Sequence, residues 1–203
     1  MDQTVRDALA RWPDVPAAYG WLSLDPRGAW RFHPEGKAAD GGPGEPITNT
    51  QILAFIGRNY LADEAGNWYF QNGPQRAYVR IDAAPLILRY AGQGEGWMDH
   101  TGATRQAPTQ WWLDDLGRLF ARTDRGPAMV DDRELMAVLD DLRLAEAGQE
   151  NDVTLDRLAT LSPGESLHVV HKGAAAPTAL ACISSADMPT VLGFIPYPTP
   201  KAS

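Results

Sequence analysis

Three groups of residues in this chain have types and spacings that could do chemistry. Gln71, Gln75 and Arg76 crowd the turn Gln71-Asn72-Gly73-Pro74. Asn72-Gly73 is strong turn chemistry and Pro74 withholds a strand hydrogen bond, so those three residues have structural reasons. The two glutamines and the arginine have fewer, and an Arg beside amides at a sheet end can hold a carboxylate bidentately. The competing reading pairs Arg76 with Asp63 or Glu64. Trp97, Trp111 and Trp112 form the second group, within a total of seven Trp. Adjacent residues on a strand face opposite ways. One of Trp111 and Trp112 therefore lies outside its hairpin's own core face, against another lobe, a partner or a ligand. The third group is Asp99, His100 and Asp114, which offer carboxylates and a base. Two such groups divide acid and base roles when their surroundings separate their pKa values.

The usual companions of catalysis are missing from these neighbourhoods. No nucleophile, oxyanion loop or phosphate-binding glycine pattern accompanies the acids. Gly92-Gln93-Gly94-Glu95-Gly96 lacks the strand before it and the helix after it that a dinucleotide fold requires. Asp114 is explained by its turn and Asp115 by solvent. His168 and His171 sit three apart in a segment of strand formers, which sends them to opposite faces, so no metal pair is expected. Cys182 lies between Ala181 and Ile183 and reads as a buried small thiol. No cofactor is expected.

Turn chemistry predicts the elements that position these residues. Residues 59–81 read as three short strands joined by Asp63-Glu64-Ala65-Gly66 and by the Asn72-Gly73 turn. The first turn recurs as Asp25-Pro26-Arg27-Gly28, Asp99-His100-Thr101-Gly102 and Asp114-Asp115-Leu116-Gly117. Asp in the first place accepts a bond from the backbone two residues on, and Gly in the fourth takes the left-handed conformation. Alternation follows: Trp30 and Phe32, Trp68 and Phe70, Leu119 and Ala121 each share one strand face. The copy at Gly102 is followed by Thr104 and Gln106 and reads as a loop. Further strands are expected over 19–24, 86–90, 111–113, 167–171 and 178–183. Thr48-Asn49-Thr50-Gln51 is a capping-box pattern opening a helix with Ile52, Phe55, Ile56 and Tyr60 on one stripe. Asp131-Asp132-Arg133-Glu134 opens another, burying Leu135, Val138, Leu139 and Leu142 and closed by Gly148. Short helices are expected over 2–11 and 154–161, a surface loop over 34–46, and an extended end over 196–200.

The balance of residues narrows the class. The 203 residues fit one large domain or two small ones, with 44% apolar and 22% charged side chains, ordinary for a globular protein. A net charge of −8 with dispersed Lys and Arg excludes nucleic-acid binding by phosphate neutralisation. One cysteine excludes an internal disulfide framework and fits a reducing cytosol. The N-terminus has no apolar signal region and no run is long enough to span a membrane, so a cytoplasmic protein with no membrane association is expected. The Gly-rich stretch 91–98 is the best boundary, giving an N-terminal lobe over 1–95 and a C-terminal lobe over 96–203. Both halves show a hairpin with an Asp-x-x-Gly turn, a capped helix, then more strands, and a common topology is expected. The fold class is α+β: two lobes of mostly antiparallel, roll-like sheet, each with a capped helix.

Residues 47–89 carry the runs T-N-T-Q-I, I-G-R-N-Y, D-E-A-G-N-W-Y-F-Q-N-G-P-Q-R and A-P-L-I-L-R. These resemble an uncharacterised proteobacterial family of similar length, with the resemblance covering residues 12–141. They are distantly similar to other proteobacterial families of unknown function built from Asp/Gly hairpins and one capped helix per lobe. The resemblance implies a two-lobed α+β protein with roll-like sheets. It implies no reaction, substrate, cofactor or catalytic residue.

The expected function is a noncatalytic binding or regulatory module. Its site would lie between the lobes near Gln71, Gln75, Arg76, Trp97, Trp111 and Trp112, and take a small anionic ligand or a protein partner. The alternative is an enzyme acting on a small polar substrate with Asp99, His100 or Asp114 as acid or base. A structural interaction protein would show an exposed apolar patch instead.

Overall fold

Four Asp-x-x-Gly turns bend the chain into hairpins with one shared hydrogen-bond pattern. The computed structural model describes residues 1–90, 96–146, 149–153, 155–172, 174 and 176–200. In each turn the Asp carboxylate accepts from the backbone N–H two residues on, at Arg27, Ala65, Thr101 and Leu116. In three of them it also accepts from the residue four on, at Ala29, Asn67 and Arg118. The fourth-place Gly donates to the Asp carbonyl with φ between 75° and 85°, a conformation that favours glycine. The Asp99 copy, expected as a loop, is a complete turn. Its flanks pair as Trp97 with Arg105 and Met98 with Thr104, although the outgoing strand has no apolar alternation.

Two compact units result, Met1–Pro85 with Gly193–Ser203 and Leu86–Leu192. The first contains α1 (Gln3–Arg11), β1 (Ala18–Leu24), β2 (Trp30–Phe32), β3 (Glu45–Pro46), α2 (Thr50–Arg58), β4 (Tyr60–Ala62), β5 (Trp68–Asn72) and β6 (Gln75–Ile81). Its sheet order is β3-β2-β1-β6-β5-β4, antiparallel except for β1 with β6. The second contains β7 (Leu86–Tyr90), β8 (Trp97–Asp99), β9 (Thr104–Arg105), β10 (Gln110–Asp114), β11 (Leu119–Thr123), β12 (Gly126–Val130), α3 (Leu135–Asp140) and β13 (Leu142–Glu146). It continues with β14 (Gln149–Asp152), α4 (Leu155–Ala159), β15 (Ser166–His171), β16 (Thr178–Ile183) and α5 (Met188–Leu192). Here the order is β14-β13-β15-β16-β10-β11-β12-β7-β8-β9, with β10–β16 and β7–β12 the parallel pairs. This is the mostly antiparallel α+β architecture expected, built on two curled sheets.

The units repeat one topology. The order β3-β2-β1-β6-β5-β4 maps onto β12-β11-β10-β16-β15-β13, with α2 and α3 following the third strand and a parallel return onto the first. The second unit inserts β14 and α4 and adds β7–β9 beyond β12. The division differs from a boundary after residue 95. β7 pairs with β12 and β8, because Leu86-Ile87-Leu88 is fully buried and its backbone groups need ladder partners on both edges. From Gly193 the chain returns to the first unit, where Ile195 N donates to Gly66 O and Ile81 N to Pro196 O.

Several local details differ from the sequence reading. Asn49, not Thr48, caps α2, accepting from Gln51 N and Ile52 N. Ile52 is 49% exposed, so the stripe that faces the sheet is narrower than its spacing predicts. α3 stops at Asp140, and Leu142 is buried as the first residue of β13. Gly148 and Thr154 lie outside the described residues.

The loop over 34–46 is tied to the sheet. Arg80 is buried beneath it, donating to the carbonyls of Ala38 and Gly42 and pairing with Asp82 at 2.7 Å. Replacing Arg80 by Leu strands both carbonyls and one carboxylate. The expected result is a loss of about 2 kcal/mol with faster amide exchange over residues 38–42, read by hydrogen-exchange mass spectrometry.

Candidate functional site

The acids singled out in the sequence are consumed by their turns. Asp114 is buried and accepts from Leu116 N at 3.1 Å, Arg118 N at 2.7 Å and Arg118 Nε at 2.6 Å. Asp99 is buried too, accepting from Thr101 N at 2.8 Å and pairing with Arg105 at 3.0 Å. His100 Nδ1 accepts from Ile87 N at 3.2 Å, locking the ring to the β7 backbone. These contacts hold the hairpins in shape. Among the described residues no group of three or more His, Cys, Asp or Glu could hold a metal ion.

Gln71, Gln75 and Arg76 stand in the first unit. Gln71 is fully buried and its Nε2 donates to Gly73 O at 2.9 Å, bracing the turn. Gln75 Nε2 donates to Pro16 O at 3.0 Å, so it fastens the segment entering β1. Arg76 is exposed and lies over the Tyr69 ring at 4.8 Å. It makes no ion pair among the described residues, with Asp63 or with Glu64. Tyr78, which stacks on Tyr19 at 4.7 Å, donates to Asp63 at 3.2 Å. Burial lowers the pKa of Arg76, but the hydrogen bond that it donates to Tyr78 and the nearby phenols outweigh it, so the guanidinium stays charged.

Trp97, Trp111 and Trp112 stand in the second unit. Trp112 is buried with Arg122 over its ring at 5.7 Å. Trp111 points the other way and meets Trp97 at 5.8 Å. Two residues absent from the sequence shortlist complete this cluster. His171 lies 5.3 Å from Trp97 and 6.1 Å from Trp111, and Tyr90 lies 4.5 Å from Trp97 and 5.3 Å from His171. Trp97 and Tyr90 face each other across β8 and β7, while His171 follows Leu167 and Val169 on the inner face of β15. In the flat strand order β15 and β8 are far apart; the curl of the sheet joins them. The alternation of Leu167, Val169 and His171 was the sequence signal for a buried imidazole.

This cluster holds polar atoms with no well-formed hydrogen bond among the described residues. His171 is 3% exposed, and neither ring nitrogen makes a well-formed hydrogen bond among the described residues, the Lys172 backbone being a weak neighbour only. The indole Nε1 of Trp111, fully buried, has none either. Each such group costs about 1–3 kcal/mol if it stays unsatisfied. Behind them Tyr90 donates its hydroxyl to the buried Asp141 at 2.7 Å. Burial and that carboxylate push the Tyr90 phenol up to about 12.

Burial holds His171 below the ordinary histidine value of 6.5, against the opposing pull of Asp141 and the Lys172 backbone. The imidazole is therefore neutral near neutral pH, with one N–H donor and one lone pair. The folded state binds fewer protons than the unfolded chain between the depressed pKa and 6.5. Stability must then rise with pH across that window and fall on acidification. Urea unfolding at pH 7.5 and pH 5.5 is expected to show lower stability at the acid value, with the difference reduced in His171→Phe. His33, depressed by burial and by Arg80, supplies the part that remains.

A family model described as "Protein of unknown function (DUF2946)", under the family name DUF2944, matches residues 1–199. The structure is similar to the crystal structure of a DUF1285 family protein from Silicibacter pomeroyi DSS-3. That likeness has 15% identity and a TM-score of 0.47, covering 74% of this chain and 97% of that one. It is also similar to a DUF1285 family protein from Shewanella baltica OS155. Here identity is 11% and the TM-score 0.42, covering 59% of this chain and 91% of that one. No curated protein matches.

Proposed function

We propose, for a chain that belongs to the DUF2944 family of unknown function, that its second unit is a noncatalytic binding module for a small polar molecule. The observation that carries this reading is the set of unpartnered nitrogens on His171 and Trp111, buried together against Trp97 and Tyr90. A ligand oxygen can accept from the indole N–H and from the imidazole N–H, while the remaining imidazole nitrogen accepts from a ligand hydroxyl or amide. The rings supply flat apolar walls, the usual lining of a small-molecule site. The buried Asp141 carboxylate disfavours an anion here, so the ligand class is uncharged: an amide, a carbonyl or an alcohol.

A second reading rests on Arg76, whose exposed guanidinium has no carboxylate partner among the described residues. It can take a small anion or a partner's carboxylate at the first unit, with Tyr69 beneath it. The equivalents of Tyr69 and Tyr78 in the repeated topology are His168 and Ala179, so the fold does not require tyrosines there.

The module works in the cytoplasm in this reading. Support comes from the single thiol, Cys182, which is buried and free. No described helix is long and apolar enough to cross a membrane. Native mass spectrometry of protein purified from its own host tests the binding reading. Wild type is expected to carry a small molecule that His171→Phe and Trp111→Phe both lose. A wild-type mass equal to the bare chain would sink the reading.

A further inference from the structure

We propose that the groove between α3 and α4 of the second unit docks a basic amphipathic helix of a partner protein. Two large apolar side chains stand in water in this groove: Met136 is 54% exposed and Leu155 50%. Scattered exposed apolar residues are ordinary, but these frame two adjoining hollows of about 490 and 420 Å³ that share Leu155 as a common wall. The floor of one is Leu139 and Val153, and of the other Leu113, Leu158 and Leu161. Each hollow can take one large apolar side chain, and a partner helix presents two on one face.

Charge identifies the partner. Asp140 and Asp156 line the first hollow and Asp115 the second. All three are exposed, and Arg143 is the one cation in the two linings among the described residues. Asp115 is held below the usual carboxylate range by its hydrogen bonds from Ser185, so it stays ionised well into acid. An apolar floor with an acidic rim selects Leu-type anchors flanked by Lys or Arg. A second copy of this chain is disfavoured, because its net charge is −8 and two such rims would repel. The hollows also explain why Met136 and Leu155, on consecutive short helices, are not replaced by the polar residues normal at such exposure.

The probe is a fluorescein-labelled helical peptide of Leu and Lys, about 18 residues long so that it forms a stable helix, with a Leu/Glu peptide of the same pattern as control. Fluorescence anisotropy is expected to show saturable binding of the Leu/Lys peptide that weakens at least tenfold in Leu155→Asp. It should weaken several-fold in Asp140→Asn/Asp156→Asn, with a shallower salt dependence. Met136→Glu serves as an independent variant, and circular dichroism checks that each remains folded. Equal binding to wild type and to the folded Leu155→Asp and Met136→Glu variants overturns the proposal, as does equal binding of the Leu/Glu peptide. Light scattering provides the other decisive arm: a wild-type dimer that Leu155→Asp turns into monomers would show that a second copy covers the groove.

Discussion

Replacing His171 by phenylalanine is expected to stabilise the folded protein by about 1–2 kcal/mol and to abolish retention of the small ligand. A buried imidazole whose nitrogens make no well-formed hydrogen bond among the described residues costs free energy, and a phenyl ring of nearly the same shape removes that cost. The new ring keeps the contacts with Tyr90, Trp97 and Trp111, which are aromatic on every side. The gain should appear as a higher urea midpoint with an unchanged slope. A stabilised protein that no longer binds is the signature of a residue kept for function at the expense of stability. Destabilisation by more than about 1 kcal/mol would mean that the imidazole has a structural partner whose loss is felt.

Asp114→Ala is expected to cost about 3–4 kcal/mol, because it leaves two backbone N–H groups and the Arg118 guanidinium without their acceptor. Asp115→Ala, one residue along and exposed, is expected to cost less than about 1 kcal/mol. Thermal unfolding of the pair measures both. The contrast separates the turn role of Asp114 from an acid–base role. Asp25, Asp63 and Asp99 occupy the same place in their turns and should behave like Asp114. If Asp114→Ala left stability unchanged, the carboxylate would be free for chemistry and the enzyme alternative would return.

Local chemistry was readable from the chain; what depends on closure of the sheet was not. The Asp63 and Asp114 hairpins were legible because Asp, Gly and the following alternation lie within a few residues of each other. The shared order of the two halves was legible for the same reason, since each half repeats the same local signals. The Asp99 turn was misread as a loop because Thr104 and Gln106 break the alternation, although the turn depends only on Asp99 and Gly102. The end of α3 was misplaced because Leu142 continues the helical spacing, while its backbone is drawn into pairing with His171 on β15. Within the site, Trp97 and Trp111 were singled out by composition and adjacency. The sequence spacing of His171 points to no aromatic partner, and its neighbours Tyr90 and Asp141 come from strands and turns distant in sequence. Only the curl of the second sheet makes them one cluster. Gln71 and Gln75 looked unexplained because their acceptors, the Gly73 and Pro16 carbonyls, are backbone atoms that no side-chain pattern marks.

The central claim is that the nitrogens of His171 and Trp111 await a ligand. A high-resolution crystal structure of the protein purified from its own host tests it most directly. The account predicts density larger than water within hydrogen-bonding distance of Trp111 Nε1 and of one nitrogen of His171. Two ordered waters satisfying both side chains, with nothing else in the cluster, would contradict it.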